Sequence, residues 1–398
     1  MSDAKTPAQF RFDPPARVLL GPGPSDVPAR VLSALARPTV GYLDASYTAL
    51  LERLQDQLRG LFLTDNAETL AVTGAGTAAM EAALYNVLEP GDKVVAGVHG
   101  YFGDRMRQVA ERAGAEVHVV EAPWGQPTSP EAIEAKLAGM SGVKVVCAPH
   151  GETSTGVRQP IPELAKAAHD HGALLVIDTV ASLGGTEFRT DDWGVDVVYT
   201  GAQKCISAVP GLSPVTFSAR AMDVVRARKT KCASWYLDLH GNLAVWERPH
   251  KYHHTGSINL VYAMHEALNI IEEEGLEARV ARVSKTAQAL WAGLEALGVP
   301  MLVAAEHRLP TLTAAKVPEG IDEAKVRAHL MAEYGVEIAG GLGPLAGKIW
   351  RIGLMGASCS RRNLMLLLAG LEEALRGQGH SAPAGAGLAA ASEVLSAG

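Results

Sequence analysis

From about residue 70 onward, short runs of β-branched and aliphatic residues alternate with longer stretches whose apolar positions recur at helical spacing. The runs at 70–73, 93–96, 116–120, 143–146, 174–177, 195–199 and 214–217 read as strands. Amphipathic stretches such as 78–88, 102–113 and 160–171 lie between them. Repeated βα units of this kind predict an α/β fold built on a mainly parallel, helix-covered sheet of seven strands. Several runs are continuously apolar and end in polar residues. That is the pattern of a strand buried on both faces whose last residues emerge at the C-terminal edge of a sheet.

Further along, 257–274 and 276–297 read as long helices. Strand-like 301–304, 311–315 and 349–352, with helical 322–334 and 361–375, predict a smaller α+β domain. The expected organisation is an N-terminal arm over 1–17, a large domain over 18–280, a small C-terminal domain over 281–376 and a disordered tail over 377–398. Gly, Ala, Ser and Pro dominate that tail. Near the start, Gly21-Pro22-Gly23-Pro24-Ser25 predicts a rigid non-helical loop. A helix over 27–35 follows, with Ser25 or Asp26 as its N-cap.

Composition narrows the class. A chain of 398 residues with 47% hydrophobic residues, 20% charged residues and 41 glycines fits a large α/β enzyme. A net charge of −7 gives no basic field for nucleic acid or anionic membranes, so neither partner is expected. The four cysteines are scattered without a CxxC pair and read as reduced thiols. Residues 1–16 lack an apolar leader core, no run is long enough to span a bilayer, and the final Ser-Ala-Gly is not a peroxisomal signal. The expected location is cytoplasmic.

The candidate chemistry sits at strand ends. Lys204 follows the run 195–199, and Asp178 closes the run 174–177. A lysine there can condense with an aldehyde, and an acid on the neighbouring strand can hold a ring nitrogen protonated. That pair suits pyridoxal 5′-phosphate. A solvated lysine and a capping aspartate are the bland alternatives.

Thr73-Gly74-Ala75-Gly76-Thr77 opens a helix after the first strong strand, where free amides and the positive end of the helix dipole can cradle a phosphate. A tight turn needs the same glycines without any ligand. With Ala79 the turn also fits a loose dinucleotide pattern, but the strand at 93–96 is followed by Gly97-Val98, without the ribose-binding acid. Phe102 and Val180 could press the two faces of a planar ring, and both are equally ordinary as core residues. The loop 150–156 offers hydroxyls to a ring's polar edge. Arg351 ends an apolar strand and could take a carboxylate bidentately, although a structural ion pair is the commoner fate of an arginine. His253 and His254 are adjacent and lack HExxH spacing, so no metal is expected.

Taken together these stretches resemble the class V, fold type I pyridoxal-phosphate aminotransferases, specifically the alanine-glyoxylate and serine-glyoxylate group. The matching motifs are LLGPGPS at 19–25, TGAG at 73–76, NVLEPGD at 86–92, HGETSTGV at 150–157, DTVASLGGT at 178–186, AQK at 202–204, RKTK at 228–231, YHHT at 252–255 and RIGLMG at 351–356. They stand in order over roughly residues 18–375. The resemblance implies that Lys204 is the Schiff-base lysine, Asp178 the partner of the pyridine nitrogen, and Phe102 and Val180 the ring-face contacts. It implies that Ala75, Gly76, Thr77 and Gln203 hold the phosphate, Thr153 the ring's polar edge, and Arg351 the substrate carboxylate with Gly23 beside it. Tyr252 and Thr255 look like residues donated to the phosphate from a second subunit, which implies a homodimer.

The implied activity is ping-pong transfer of an amino group from alanine or serine to glyoxylate, through a Lys204 aldimine. Thr77 stands where many relatives have histidine, Phe102 where they have tryptophan or tyrosine, and Gly256-Ser257 follows YHHT. A transaminase acting on 2-aminoethylphosphonate or another oxo acid is the alternative within the fold. A desulfurase fits less well, because Gln203 rather than histidine precedes Lys204 and Cys359 lies downstream of Arg351. The full set of reactive residues argues against a non-enzymatic scaffold.

Overall fold

A computed structural model describes residues 13–397. Most of the expected arm, 1–17, lies outside the described residues, and 13–17 carry no regular structure. The central sheet contains β1 (Glu68–Thr73), β2 (Lys93–Val98), β3 (Glu116–Glu121), β4 (Val143–Pro149), β5 (Leu174–Asp178), β6 (Val197–Tyr199) and β7 (Leu212–Phe217). Its strand order is β1-β7-β6-β5-β4-β2-β3, and only β7 runs antiparallel to its neighbours. This is the mainly parallel seven-stranded sheet that the apolar runs predict.

Every residue of β5, β6 and β7 is buried, as a strand covered on both faces requires. Edge strand β3 instead carries Glu116, His118 and Glu121 and is largely accessible. Those charges discourage pairing with another sheet. Register aligns the strand ends: Asp178 stands opposite Pro149 on one side and Tyr199 on the other. Strands β4, β5 and β6 therefore end level, and their loops open on the same edge. Strand β1 delivers the turn at Gly74 to that edge as well, because Thr73 pairs with Leu212 at the start of antiparallel β7.

Buried apolar side chains form two large clusters. One runs from Val31 to Ile271 around the central sheet. The other gathers Leu20 with residues between Val283 and Ala391. Its small antiparallel sheet has the order β8-β10-β9, from β8 (Leu312–Lys316), β9 (Ala339–Gly340) and β10 (Ile349–Gly353). Helices Leu276–Ala296, Glu323–Tyr334 and Arg361–Gly377 contribute buried leucines to the same cluster. The start of the chain crosses into this second cluster: Val18–Leu19 pairs in parallel with Val336–Glu337, and Leu20 is buried there.

Three local expectations change. The strand expected at 301–304 is a single bridge, Met301 to Ala315. The helix expected from Val27 begins at Ala29, because Asp26 accepts the amide of Leu19 and Ser25 turns towards Lys204 instead of capping. The expected tail carries a helix, Ala386–Ser396, packed along Leu276–Ala296. Ala391 is fully buried, and a Cβ on Gly293 would come within 3.0 Å of the Gly387 carbonyl oxygen. Alanine is the strongest helix former, and small residues let two helices approach closely. A composition that resembles low complexity therefore builds an ordered contact. Among the described residues no helix is long and apolar enough to cross a membrane.

Candidate active site

The loops at the C-terminal edge of the central sheet enclose a cleft of about 210 Å³. Ala75, Gly76, Thr77, Phe102, Thr153, Asp178, Val180, Gln203 and Lys204 all line it, so nine residues singled out in the sequence meet in one place. Gly23 reaches the cleft from the N-terminal loop. Its φ is +116°, and a Cβ there would fall 2.6 Å from both Cδ and Cε of Lys204. The positive φ favours glycine at this position, and its missing Cβ leaves the lysine's end where it is. Arg351 lies on β10, where its Nε donates to the Gly340 carbonyl at 2.8 Å and its Nη1 to the Thr153 carbonyl at 3.4 Å. Tyr252 and Thr255 do not reach the cleft of their own chain. Tyr252 is 59% exposed and packs on Tyr42, with ring centroids 5.1 Å apart.

Lys204 is partly buried, its Nζ donating to the Pro22 carbonyl. Burial lowers its pKa to about 8, helped by the charge of Arg351 and opposed by Asp178. Asp178 is buried at the end of β5, and burial raises its pKa to about 7. Two donors work against that rise: the amide of Val180 reaches Oδ1 at 2.8 Å, and the Tyr199 hydroxyl reaches Oδ2 at 3.0 Å. The carboxylate is thereby fixed in orientation.

The phosphate cradle predicted at residues 73–77 opens helix Gly76–Val87, which has neither a side-chain cap nor an acidic residue in its first turn. Its first amides have no intrahelical acceptor. Gly76 lets the turn close on Val180, since a Cβ would sit 3.0 Å from Val180 Cγ2. Beside it, Gln203 Oε1 is buried with no hydrogen-bond partner among the described residues.

Several neighbours were not legible in the sequence. Ser25 fastens the N-terminal loop to the lysine segment: its amide donates to the Gln203 carbonyl at 2.9 Å and its hydroxyl to the Lys204 carbonyl at 2.7 Å. Glu152 is fully buried, accepts the amides of Phe102 and Gly103 at 3.0 and 3.1 Å, and takes the Ser154 hydroxyl at 2.6 Å. It caps helix Tyr101–Arg112 and so sets the position of the Phe102 ring. Burial raises its pKa, and these donors oppose the rise. Arg105 also lines the cleft. One signal for it existed, because it follows Phe102 by three residues and so shares its helix face.

The class-V aminotransferase family profile matches residues 18–351. This chain belongs to the class-V aminotransferases. The crystal structure of ureidoglycine-glyoxylate aminotransferase from Bacillus subtilis is similar at a TM-score of 0.94 with 38% identity, covering 97% of this chain and 100% of that one. Alanine–glyoxylate aminotransferase from Nostoc sp. superposes at a TM-score of 0.91 with 42% identity, covering 94% of this chain and 100% of the other. The Drosophila melanogaster alanine–glyoxylate aminotransferase is 41% identical over 91% of this chain and 93% of its own length.

The cofactor of this aminotransferase is pyridoxal 5′-phosphate. The cleft fits it. An uncapped helix terminus with free first amides suits the phosphate. A lysine of lowered pKa suits an aldehyde carbon, and a fixed carboxylate suits a pyridinium nitrogen.

Proposed function

We propose that this aminotransferase moves the amino group of a small amino acid, alanine or serine, to glyoxylate. The observation that carries the reading is the convergence of Lys204, Asp178 and the Gly76 cradle on one cleft, with Arg351 held against the Thr153 loop beside it. The similar proteins named above are all glyoxylate aminotransferases, which supports glyoxylate as the acceptor. Pyridoxal phosphate supplies an electron-withdrawing ring that stabilises negative charge at the donor's α-carbon.

The protein's own groups do the rest. Asp178 keeps the ring nitrogen protonated. Ala75, Gly76, Thr77 and Gln203 hold the phosphate, Thr153 the ring's polar edge, and Phe102 and Val180 its two faces. Arg351, with Gly23 beside it, receives the donor's carboxylate and orients the α-hydrogen. The Lys204 amine takes that proton at Nζ and returns it to the other side of the exchange. The order is ping-pong, the first oxo acid leaving before glyoxylate enters.

The active unit is a homodimer in which Tyr252 and Thr255 complete the partner's cleft. Exposed aromatics support this: Trp235 is 68% exposed and stacks on His253 at 4.2 Å, while Tyr236 lies on His254 at 4.4 Å. An aromatic surface of this kind marks an interface. A cytoplasmic setting belongs to the same reading, in keeping with four unpaired cysteines. A second donor, (S)-ureidoglycine, is favoured by the likeness to the B. subtilis protein.

Single-turnover mixing of the loaded enzyme with alanine, serine and ureidoglycine in turn, with identification of the oxo acid released, ranks the donors. Lys204→Ala should remove both the visible absorbance of bound cofactor and at least about a thousandfold of turnover, the scale of losing the main acid–base group. Turnover near the wild-type rate in that variant would end the reading.

A further inference from the structure

We propose that Arg105 binds the cofactor phosphate, completing the cradle beside Thr77. The inference rests on the pyridoxal-phosphate reading of the cleft and assigns one more residue to it. Arg105 lines the cleft, and its Nη1 donates to Thr77 Oγ1 at 3.0 Å. Its guanidinium carbon lies 4.8 Å from the centre of the Phe102 ring and 5.0 Å from that of Tyr101. The charged group is thus held in place by two aromatic faces and a hydroxyl.

The electrostatics point to an anion. A guanidinium beside Thr77 stands at the positive end of helix Gly76–Val87, where a cation is disfavoured. Among the described residues no carboxylate pairs with Arg105, and that helix has no acidic residue in its first turn. Arg107, two positions along the same helix, is by contrast paired with both Asp104 and Glu111. Glu152 does not supply the missing charge, because its oxygens are taken by Phe102, Gly103 and Ser154. Helix terminus, free amides and guanidinium share one need, which a dianionic phosphate meets. The second arginine of the site, Arg351, addresses the Thr153 loop instead and stays available to the substrate.

The test compares two aldehydes that differ only in the phosphate. Apoenzyme is titrated with pyridoxal phosphate and with pyridoxal, reading visible absorbance at equilibrium, for wild type, Arg105→Gln, Arg105→Lys and Thr77→Val. Loss of a charge-assisted hydrogen bond should weaken pyridoxal phosphate by about tenfold or more in Arg105→Gln. Pyridoxal affinity should change by less than about twofold, since the same contact energy is not at stake. Arg105→Lys should fall between, and Thr77→Val should weaken only the phosphorylated aldehyde, by a few fold. If Arg105→Gln does not fold, Arg105→Lys decides: weakening of pyridoxal phosphate alone supports the proposal, and equal weakening of both aldehydes, or of neither, overturns it. Equal weakening of both aldehydes would make Arg105 a structural residue and overturn the proposal. So would unchanged cofactor affinity with a raised KM for the amino donor, which would give the guanidinium to the substrate. A wild-type protein that develops no absorbance with either aldehyde is a different failure, that of the cofactor reading itself.

Discussion

Lys204 shows what a single residue gains from its surroundings. Partly withdrawn from water, its ammonium form is penalised and the neutral amine, the form that attacks an aldehyde, is reached near pH 8. Cofactor uptake by the apoenzyme should therefore rise about tenfold per unit at acid pH and level off above about pH 9. Stopped-flow absorbance across pH 6 to 10 checks this. A profile still climbing at the top of that range would mean an unperturbed lysine. At this scale the sequence was informative where the constraint was local. Lys204 and Asp178 are legible because one closely follows an apolar run and the other closes one, and strand ends share an edge. Ser25 was not, because its partner carbonyl lies 179 positions away and nothing near Ser25 records that. Tyr199 was equally hidden, since only sheet register puts its hydroxyl beside Asp178.

Elements repeat the lesson. The central strands other than the accessible edge strand β3 could be read from their continuous apolar runs, because a sheet covered on both faces leaves no room for alternation. The helix Ala386–Ser396 could not, because its alanines and glycines look like a linker until Leu276–Ala296 is placed beside them. Its packing makes a sharp prediction. Ala391 is fully buried, so Ala391→Leu should overpack the helix pair and cost about 2 kcal/mol of stability. Chemical denaturation monitored by circular dichroism measures it. A silent substitution would return the segment to a loosely attached tail. The capping carboxylate of Glu152 belongs to this scale as well: it joins the loop after β4 to helix Tyr101–Arg112, so two connections move as one.

For the whole molecule, the decisive question is where Tyr252 and Thr255 act, and subunit mixing answers it. A hybrid of one Lys204→Ala chain and one Tyr252→Ala/Thr255→Ala chain has one intact cleft if those residues cross to the partner, and none if they serve their own chain. About half the wild-type dimer's activity is expected, because one of two sites is whole. Hybrids as inactive as their parents would remove the shared-site arrangement. The pairing of Val18–Leu19 with Val336–Glu337 carries a consequence of another kind. During synthesis the first of these strands leaves the ribosome more than three hundred residues before the second. The loop that carries the Pro22 carbonyl to the Lys204 amine is thus tied on one side by Ser25 and on the other by a strand whose neighbour comes late. A nascent chain can therefore finish its central sheet early while its first strand still waits for a neighbour, and that pair closes only when nearly the whole polypeptide has emerged.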